Sequence, residues 1–185
     1  MRMTPGLRKF VLSLHLACSV GWIGAVVAYL ALGVTAATSQ DALTVRTAWI
    51  AMDLTGWWAI VPLSVAALLT GIVISLGTPW GLFRHYWVIF SLGLTLVATV
   101  VLVLHMPTVS ALAAVAREAD GAHLIGSGGD IFHPGIGLVL LLAIMGLNVY
   151  KPRGLTPYGW RKQLEERAEP AALVPSASVA APARR

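Results

Sequence analysis

Histidines are the residues of this chain whose type and position point most clearly to chemistry. Four of the five, His15, His85, His105 and His133, lie inside or at the edges of long apolar segments, and His123 lies in a connecting loop. Ionisable side chains are costly inside a membrane span and usually mark a functional site there. Since imidazole is also the commonest metal and haem ligand, these histidines are candidate ligands of a bound cofactor.

The depth of each histidine in its segment decides which of them can share a ligand. His105 ends one apolar segment and His133 begins the next, so the two differ by only about 5 Å in expected depth. His15 and His85 lie toward the opposite side, and about 30 Å of helical rise separates His85 from His105. We therefore expect His105 and His133 to be the best-matched pair.

A polar stripe follows His15 along the first apolar segment. Trp22 and Tyr29 recur at heptad spacing after it, so the three side chains fall within about 40° on one helix face. We expect this face to point toward other helices, because lipid offers His15 no partner. The predicted cofactor-binding residues are His15, Trp22, His105 and His133, and the predicted metal ligands are His105, Met106 and His133.

Simpler roles remain open for most of these histidines. His85 stands among Arg84, Tyr86 and Trp87, which is a composition typical of a membrane interface. His133 could pair with Asp130, the expected N-terminal cap of the last apolar helix. His123 lies in a loop rich in glycine and could simply be solvated.

The composition narrows the class of protein. Of 185 residues, 57% are hydrophobic and 11% are charged, with a formal net charge of +5. So few polar residues exclude a nucleic-acid-binding module and a disordered chain. The single cysteine, Cys18, excludes an internal disulfide and a CxxC site.

Four apolar stretches predict an all-α, polytopic membrane protein with four transmembrane helices in a bundle. They cover about residues 10–34, 57–76, 85–106 and 131–150, close to the roughly 20 residues that a span needs. The second helix has an alternative start near residue 41, because proline is absent between Asp41 and Gly56. Pro62 should then kink this helix.

The basic residues predict that both termini are cytoplasmic, because lysine and arginine concentrate in cytoplasmic loops. Residues 1–9, the loop between spans two and three, and residues 151–185 hold nearly all of them, whereas the other two loops hold only Arg46 and Arg117. Residues 158–167 are expected to form a short basic helix. The tail is expected to be disordered from about residue 170, where composition shifts to Ala, Pro, Ser and Val.

Short motifs in the apolar segments resemble known membrane families. The stretch LHLACSVGWIGAVVAYLAL, with His15, Trp22 and Gly24, resembles the first helix of the copper resistance protein D family. This stretch and LGTPWGLFRHYWVIFSLGLTL are also similar to the uncharacterised membrane family called domain of unknown function 2269. A looser likeness is to the bacterial membrane protoporphyrinogen oxidase, although Ser91 stands where that enzyme has a lysine. The resemblance implies a four-helix bundle with His15 pointing inward and b-type haem as the cofactor.

Three functions remain open from the sequence. The first is a redox-linked protein that binds b-type haem through its helix histidines. The second is copper handling at the outer face, where imidazole and thioether ligands are available; the candidates there are Met52, His105, Met106, His123 and His133. The third is an accessory subunit of a membrane complex without chemistry of its own, and whether the chain is an enzyme stays open.

Transport by this chain alone is not expected, because no Asp, Glu, Lys or Arg falls within the four predicted stretches. The acids Asp53, Glu118, Asp120 and Asp130 are interpreted as loop residues without a nucleophile partner. Ten arginines against three lysines suggest a GC-rich bacterial genome and hence a bacterial plasma membrane. The expected partners are the lipid bilayer and either a membrane complex or a second copy of the chain.

Overall fold

The computed structural model describes residues 3–78, 80–118, 124–125 and 128–172, with side chains described through residue 168. Within these residues the chain forms helices and no strand. They are α1 (Pro5–Thr38), α2 (Ala42–Thr55), a π-helical turn (Gly56–Ile60), α3 (Val61–Gly77), α4 (Tyr86–Glu118), α5 (Phe132–Tyr150) and α6 (Pro157–Ala172). The predicted all-α class is confirmed.

Four helical units are long and apolar enough to cross a membrane: Pro5–Thr38, Ala42–Gly77, Tyr86–Glu118 and Phe132–Tyr150. Their surfaces carry many exposed large apolar side chains, for example Phe10, Leu104 and Val139. A water-facing surface would not normally display so many, whereas hydrocarbon accommodates them. The presence of four apolar helices of spanning length is therefore confirmed.

The second unit starts at Ala42, as in the alternative that the sequence left open, and its irregularity lies just before Pro62. The Val61 N–H donates to the Gly56 carbonyl, five residues back, which makes Gly56–Ile60 a π-helical turn. Proline has no N–H to give to the carbonyl four residues back, so wider hydrogen bonding before Pro62 is a physically reasonable way to absorb this loss.

Helix α4 is longer than the apolar stretch that ends at Met106, because it continues through Pro107 to Glu118. A proline inside a helix removes one hydrogen bond and is usually a place where a helix ends or kinks. Here the segment after Pro107 is fixed by tertiary contacts: Ser110 Oγ donates to Asp53 Oδ1 at 2.7 Å, and Arg117 Nη2 donates to Asp53 Oδ2 at 2.7 Å. Asp53 lies within α2 and Glu118 is the last residue of α4, so the interpretation of these two acids as loop residues is wrong.

Helix α1 packs against α2, α3 and α5, while α4 packs against α2, α3 and α5 from the other side. The most deeply buried side chains lie where α2 meets α4; among them are Val45, Met52, Met106, Val109 and Ala113. We call the end of the helices that carries Arg8, Arg84 and Lys151 the basic end. The opposite end, which carries His105, Asp130 and His133, is the histidine end.

At the basic end, the loop before α4 is joined to the segment before α6. The Thr156 N–H donates to the Arg84 carbonyl at 3.0 Å, and the Thr156 hydroxyl donates to the Phe83 carbonyl at 2.6 Å. The same hydroxyl accepts from the Gly159 N–H at 3.0 Å and so caps α6. Arg84 and Glu166 add a two-bond ion pair at 3.0 and 3.1 Å. Helix α6 includes the predicted basic helix, and the predicted disordered tail lies almost wholly outside the described residues.

Candidate metal centre and adjoining cavity

A single carboxylate, that of Asp130, joins three helices at the histidine end. Its Oδ2 lies 2.7 Å from His105 Nε2 on α4 and accepts a hydrogen bond from the Tyr29 hydroxyl of α1 at 2.9 Å. Its Oδ1 lies 3.4 Å from Nδ1 of His133, in the first turn of α5. The predicted pair His105 and His133 is thus brought together, and Asp130 lies between them.

The position of Asp130 depends on close approach of two backbones. A Cβ added to Gly33 of α1 would collide with the Asp130 carbonyl oxygen, and one added to Gly129 would collide with the Gly33 carbonyl oxygen. Only glycine lets the segment before α5 lie this close to α1. Gly33 and Gly129 therefore bring Asp130 within reach of Tyr29.

Burial differs among the three groups. The side chain of Asp130 is 7% exposed and that of His105 is 17% exposed, whereas that of His133 is 51% exposed. A carboxylate this deeply buried needs partners that replace its hydration. His105 and Tyr29 are the more buried partners of this carboxylate. Because His133 is half exposed, the cluster is accessible from the His133 side.

These three residues have the composition and spacing of a metal site. One ligand atom from each of His105, Asp130 and His133 can be chosen so that all lie within 4.8 Å of one another. Ligand atoms bound to one tetrahedral Zn²⁺ at its usual bond lengths lie about 3.3 Å apart, so small side-chain rotations suffice. Two imidazoles with one carboxylate leave further coordination positions for water or a substrate.

The two imidazole rings stack, with their centroids 3.8 Å apart and their planes 19° from parallel. Axial ligands of a haem approach the iron from opposite faces with their nitrogens pointing toward each other. Stacked rings do not present their nitrogens to each other across a plane, so this arrangement does not match a pair of axial haem ligands.

The sulfur ligand proposed from the sequence points elsewhere. Met106 is 1% exposed and packs against Gly56 of the π-helical turn, where an added Cβ would collide with its sulfur and methyl group. Met52 is fully buried in the core between the helices. His123 lies outside the described residues. Of the copper candidates that the structure describes, His105 and His133 belong to the cluster and the two methionines do not.

A cavity of about 320 Å³ adjoins the cluster and is lined by α1, α4, α5 and Ile60. Trp22 and Tyr29 line it from α1, and His105 and His133 line it at one end. Most of the remaining lining side chains are aliphatic. Trp22, which the sequence placed on the stripe with His15, therefore lies against this cavity.

His15 belongs to a different place in the fold. Its Nδ1 lies 3.0 Å from the Thr70 hydroxyl of α3, which is also within hydrogen-bond distance of the Ala66 and Ala67 carbonyls at 2.6 and 3.2 Å. The hydroxyl accepts from Nδ1 when that nitrogen carries the proton and donates to it in the other tautomer, so His15 is partnered in either case. About 20 Å of helical rise separates His15 from Tyr29, so His15 is not part of the Asp130 cluster.

His85 also has a local partner, since its Nδ1 lies 2.9 Å from the Trp80 carbonyl and its ring lies edge-on to the Trp80 indole. This arrangement agrees with the interfacial role that the sequence left open.

The sequence indicated two members of the cluster but missed what organises it. The pairing of His133 with Asp130, which the sequence left open, is present in the structure. The interpretation of Asp130 as the helix cap is wrong, since the N-cap residue of α5 is Ile131. Tyr29 was grouped with His15 by its helical phase and not with Asp130. One feature of the sequence could have indicated this contact. Tyr29 in the first span and Asp130 before the fourth span were both expected toward the same side of the membrane.

Comparisons of the chain with protein-family models, curated proteins and solved structures find no match. The function is therefore argued from the geometry of the site.

Proposed function

We propose that this chain is an integral membrane protein that binds one divalent transition-metal ion through His105, Asp130 and His133. The observation that carries the proposal is the convergence of two imidazoles on one buried carboxylate, with ligand atoms at 2.7 and 3.4 Å. A bound cation would neutralise Asp130 and take the place of the proton shared between it and His105.

The donor set favours some ions over others. Imidazole suits zinc, copper, iron and nickel, while a carboxylate is a harder ligand that suits divalent ions better than Cu(I). No thioether or thiolate of the described residues joins the cluster, since Met106 packs against Gly56 and Cys18 is buried on α1. We therefore expect Zn²⁺, Fe²⁺ or Cu²⁺ rather than Cu(I), with an open position for a further ligand.

Tyr29 holds the proposed carboxylate ligand in place without being a ligand itself. The Tyr29 hydroxyl donates to Asp130 Oδ2, and such hydrogen bonds orient a ligating carboxylate and tune its basicity. Tyr29 is buried, so the bond would persist when the ion binds. Its contribution would be to position Asp130 rather than to bind the metal.

The basic end is proposed to face the cytoplasm, with both termini inside a bacterial plasma membrane. The support is the bias of lysine and arginine toward that end. The metal centre would then lie near the outer face, where ions from outside can reach the half-exposed His133. A reporter fused after Arg185 should read as cytoplasmic, and a periplasmic reading would contradict this orientation.

The haem hypothesis remains a prediction with a direct test. The stacked rings of His105 and His133 give it less support than a single ion receives, because they do not face each other across a plane. Protein purified from membranes should show no Soret band if the metal proposal holds. A Soret band that disappears in His105→Gln would favour haem instead.

The metal proposal is tested by titrating chelator-treated protein in nanodiscs with Zn²⁺, Co²⁺ and Cu²⁺. We expect one ion per chain, and Asp130→Asn and His133→Gln should each weaken binding by at least about tenfold. His85→Gln is the matched control, because His85 lies at the basic end with its own partner, and it should bind as the wild type does. Equal affinity in all four proteins would mean that the cluster is only a hydrogen-bonded contact between helices.

A further inference from the structure

The cavity beside the metal centre is almost wholly apolar and has a small polar part at the histidine end. Its walls are mostly aliphatic, with the Trp22 indole on one side. Among its described lining residues, the titratable ones are Tyr29, His105 and His133, and all three are at the histidine end. A ligand that is apolar except for one polar group at its end would match both parts of the cavity.

The length of the cavity limits what can fill it. Along α1 it extends from Trp22 to Tyr29, and along α5 from Phe132 to Leu140, which is about 10–12 Å of helical rise in each case. One leaflet of a bilayer core is about 15 Å thick, so an extended acyl chain would be longer than the cavity. A compact molecule of one or two rings fits better, and the indole of Trp22 offers such rings an aromatic surface.

The cavity opens toward lipid between α4 and α5. Val97 and Val101 on α4 and Phe132 and Ile136 on α5 line it and are also exposed on the surface of the helices. A ligand could therefore enter sideways from the hydrocarbon layer without crossing the polar cluster.

The polar end can hydrogen-bond a hydroxyl group. Among the described residues, Nε2 of His133 has no hydrogen-bond partner, and its side chain is half exposed. A hydroxyl donates to this nitrogen when it is bare and accepts from it when it carries a proton, so a hydroxyl suits either tautomer. A pure hydrocarbon would gain nothing from this end of the cavity.

We propose that this cavity binds a small, lipid-soluble phenol, with its rings beside Trp22 and its hydroxyl at His133. The proposal goes beyond metal binding and does not depend on it, because the cavity walls and the free imidazole nitrogen are present without an ion. When an ion is bound, the hydroxyl would lie next to the open coordination side of the cluster.

The test uses 1-naphthol as the probe and chelator-treated protein in nanodiscs, with the signal of empty nanodiscs subtracted. We expect saturable binding of one naphthol per chain, at least about fivefold tighter than binding of naphthalene, which lacks the hydroxyl. His133→Leu should remove this preference. Naphthalene binding as well as naphthol would show an apolar space that lipid fills, and would overturn the proposal.

Two glycines of α5 provide a matched pair of variants for the cavity itself. A Cβ at either Gly137 or Gly146 meets nothing within 4 Å, but only Gly137 lines the cavity. Gly137→Phe should fill the cavity and weaken naphthol binding at least about tenfold, whereas Gly146→Phe should leave it unchanged. Equal naphthol binding by both variants would also overturn the proposal.

Metal binding separates this proposal from the previous one. Gly137→Phe leaves His105, Asp130 and His133 in place, so its Zn²⁺ affinity should equal that of the wild type. Loss of naphthol binding with retained Zn²⁺ binding supports the cavity proposal alone. Zn²⁺ binding by a wild type that binds no naphthol would refute the cavity proposal and leave the metal centre intact.

Discussion

His105 Nε2 lies 2.7 Å from Asp130 Oδ2, although the two residues are 25 positions apart in the sequence. The bond links α4 to the segment just before α5. Tyr29 of α1 donates to the same oxygen at 2.9 Å, so side chains of α1 and α4 share one carboxylate oxygen, while His133 of α5 lies 3.4 Å from the other one. Any change that shifts α1, α4 or α5 at this end should therefore alter the cluster.

The close approach of α1 to the segment before α5 predicts that Gly33→Ala is destabilising. The added methyl group would collide with the Asp130 backbone carbonyl, which cannot move aside as a flexible side chain could. Overpacking of this kind costs about 1–3 kcal/mol, and we expect a loss of that size in the free energy of unfolding in bicelles.

Gly24→Ala is the control for this change, because a Cβ there meets nothing within 4 Å on the same helix. It should be neutral or stabilising, since alanine favours helix over glycine by up to about 1 kcal/mol. If Gly33→Ala were as stable as Gly24→Ala, the close packing at Asp130 would not exist in the membrane.

The hydrogen bond between His15 and Thr70 predicts a measurable coupling between α1 and α3. Thr70→Val removes the hydroxyl and leaves the partly buried Nδ1 of His15 without this partner, while His15→Leu removes the imidazole itself. Polar pairs between membrane helices typically couple by about 0.6 kcal/mol and reach about 1.7 kcal/mol.

A double-mutant cycle on His15 and Thr70, read from the free energy of unfolding, should give a coupling in that range. Thr70→Ser retains the hydroxyl and should retain most of the coupling. Strictly additive effects of His15→Leu and Thr70→Val would mean that the two side chains do not interact.

The attachment of α6 is predicted to depend more on Thr156 than on its ion pair. The Thr156 hydroxyl is buried, donates to Phe83 and caps α6, and loss of such a cap costs about 1 kcal/mol. Glu166 is 44% exposed, and exposed ion pairs contribute between about 0 and 1 kcal/mol.

Hydrogen exchange of the amides in residues 157–168 measures this difference. Thr156→Ala should speed exchange clearly more than Glu166→Gln, and Thr156→Ser should behave as the wild type does. A larger effect from Glu166→Gln would show that the ion pair, and not the cap, holds α6.

The N-terminus of α2 should respond to acid through Asp41. The Thr44 hydroxyl and amide donate to Asp41 Oδ2 at 2.6 and 2.9 Å, and these bonds hold the pKa of Asp41 below its ordinary value. Because the folded-state pKa is the lower one, the cap stabilises α2 above the unfolded pKa. That contribution is lost as the pH falls through the folded pKa.

The amide proton of Thr44 reports this change in an NMR titration. Its chemical shift should move as the pH falls below about 4 and stay flat above that. In Asp41→Asn the same resonance should not titrate in this range. A titration that persists in Asp41→Asn would assign it to another group.

The helices could be predicted because their signal is local. The lengths of the apolar stretches alone locate four helices. The absence of proline between Asp41 and Gly56 allows the long second unit, which starts at Ala42. The extension of α4 through Pro107 could not be predicted, since its cause is the contact of Ser110 and Arg117 with Asp53 on another helix.

The site was predictable in part for the same reason. Helical rise places His105 and His133 at one depth, and depth can be read from sequence. The role of Asp130 depends on Gly33 and Gly129, whose close approach is a tertiary contact with no periodic signal. Met106 was predicted as a ligand because it lies at nearly the same depth as His105, but consecutive residues of a helix point to different sides of it.

X-ray absorption at the zinc edge tests the central claim, that His105, Asp130 and His133 bind one metal ion. On protein loaded with one equivalent of Zn²⁺ in nanodiscs, we expect a first shell of nitrogen and oxygen at about 2.0–2.1 Å with the outer-shell pattern of two imidazoles. In Asp130→Asn and His133→Gln the imidazole pattern should weaken or disappear. A wild-type spectrum with only oxygen ligands and no imidazole scattering would contradict the metal centre.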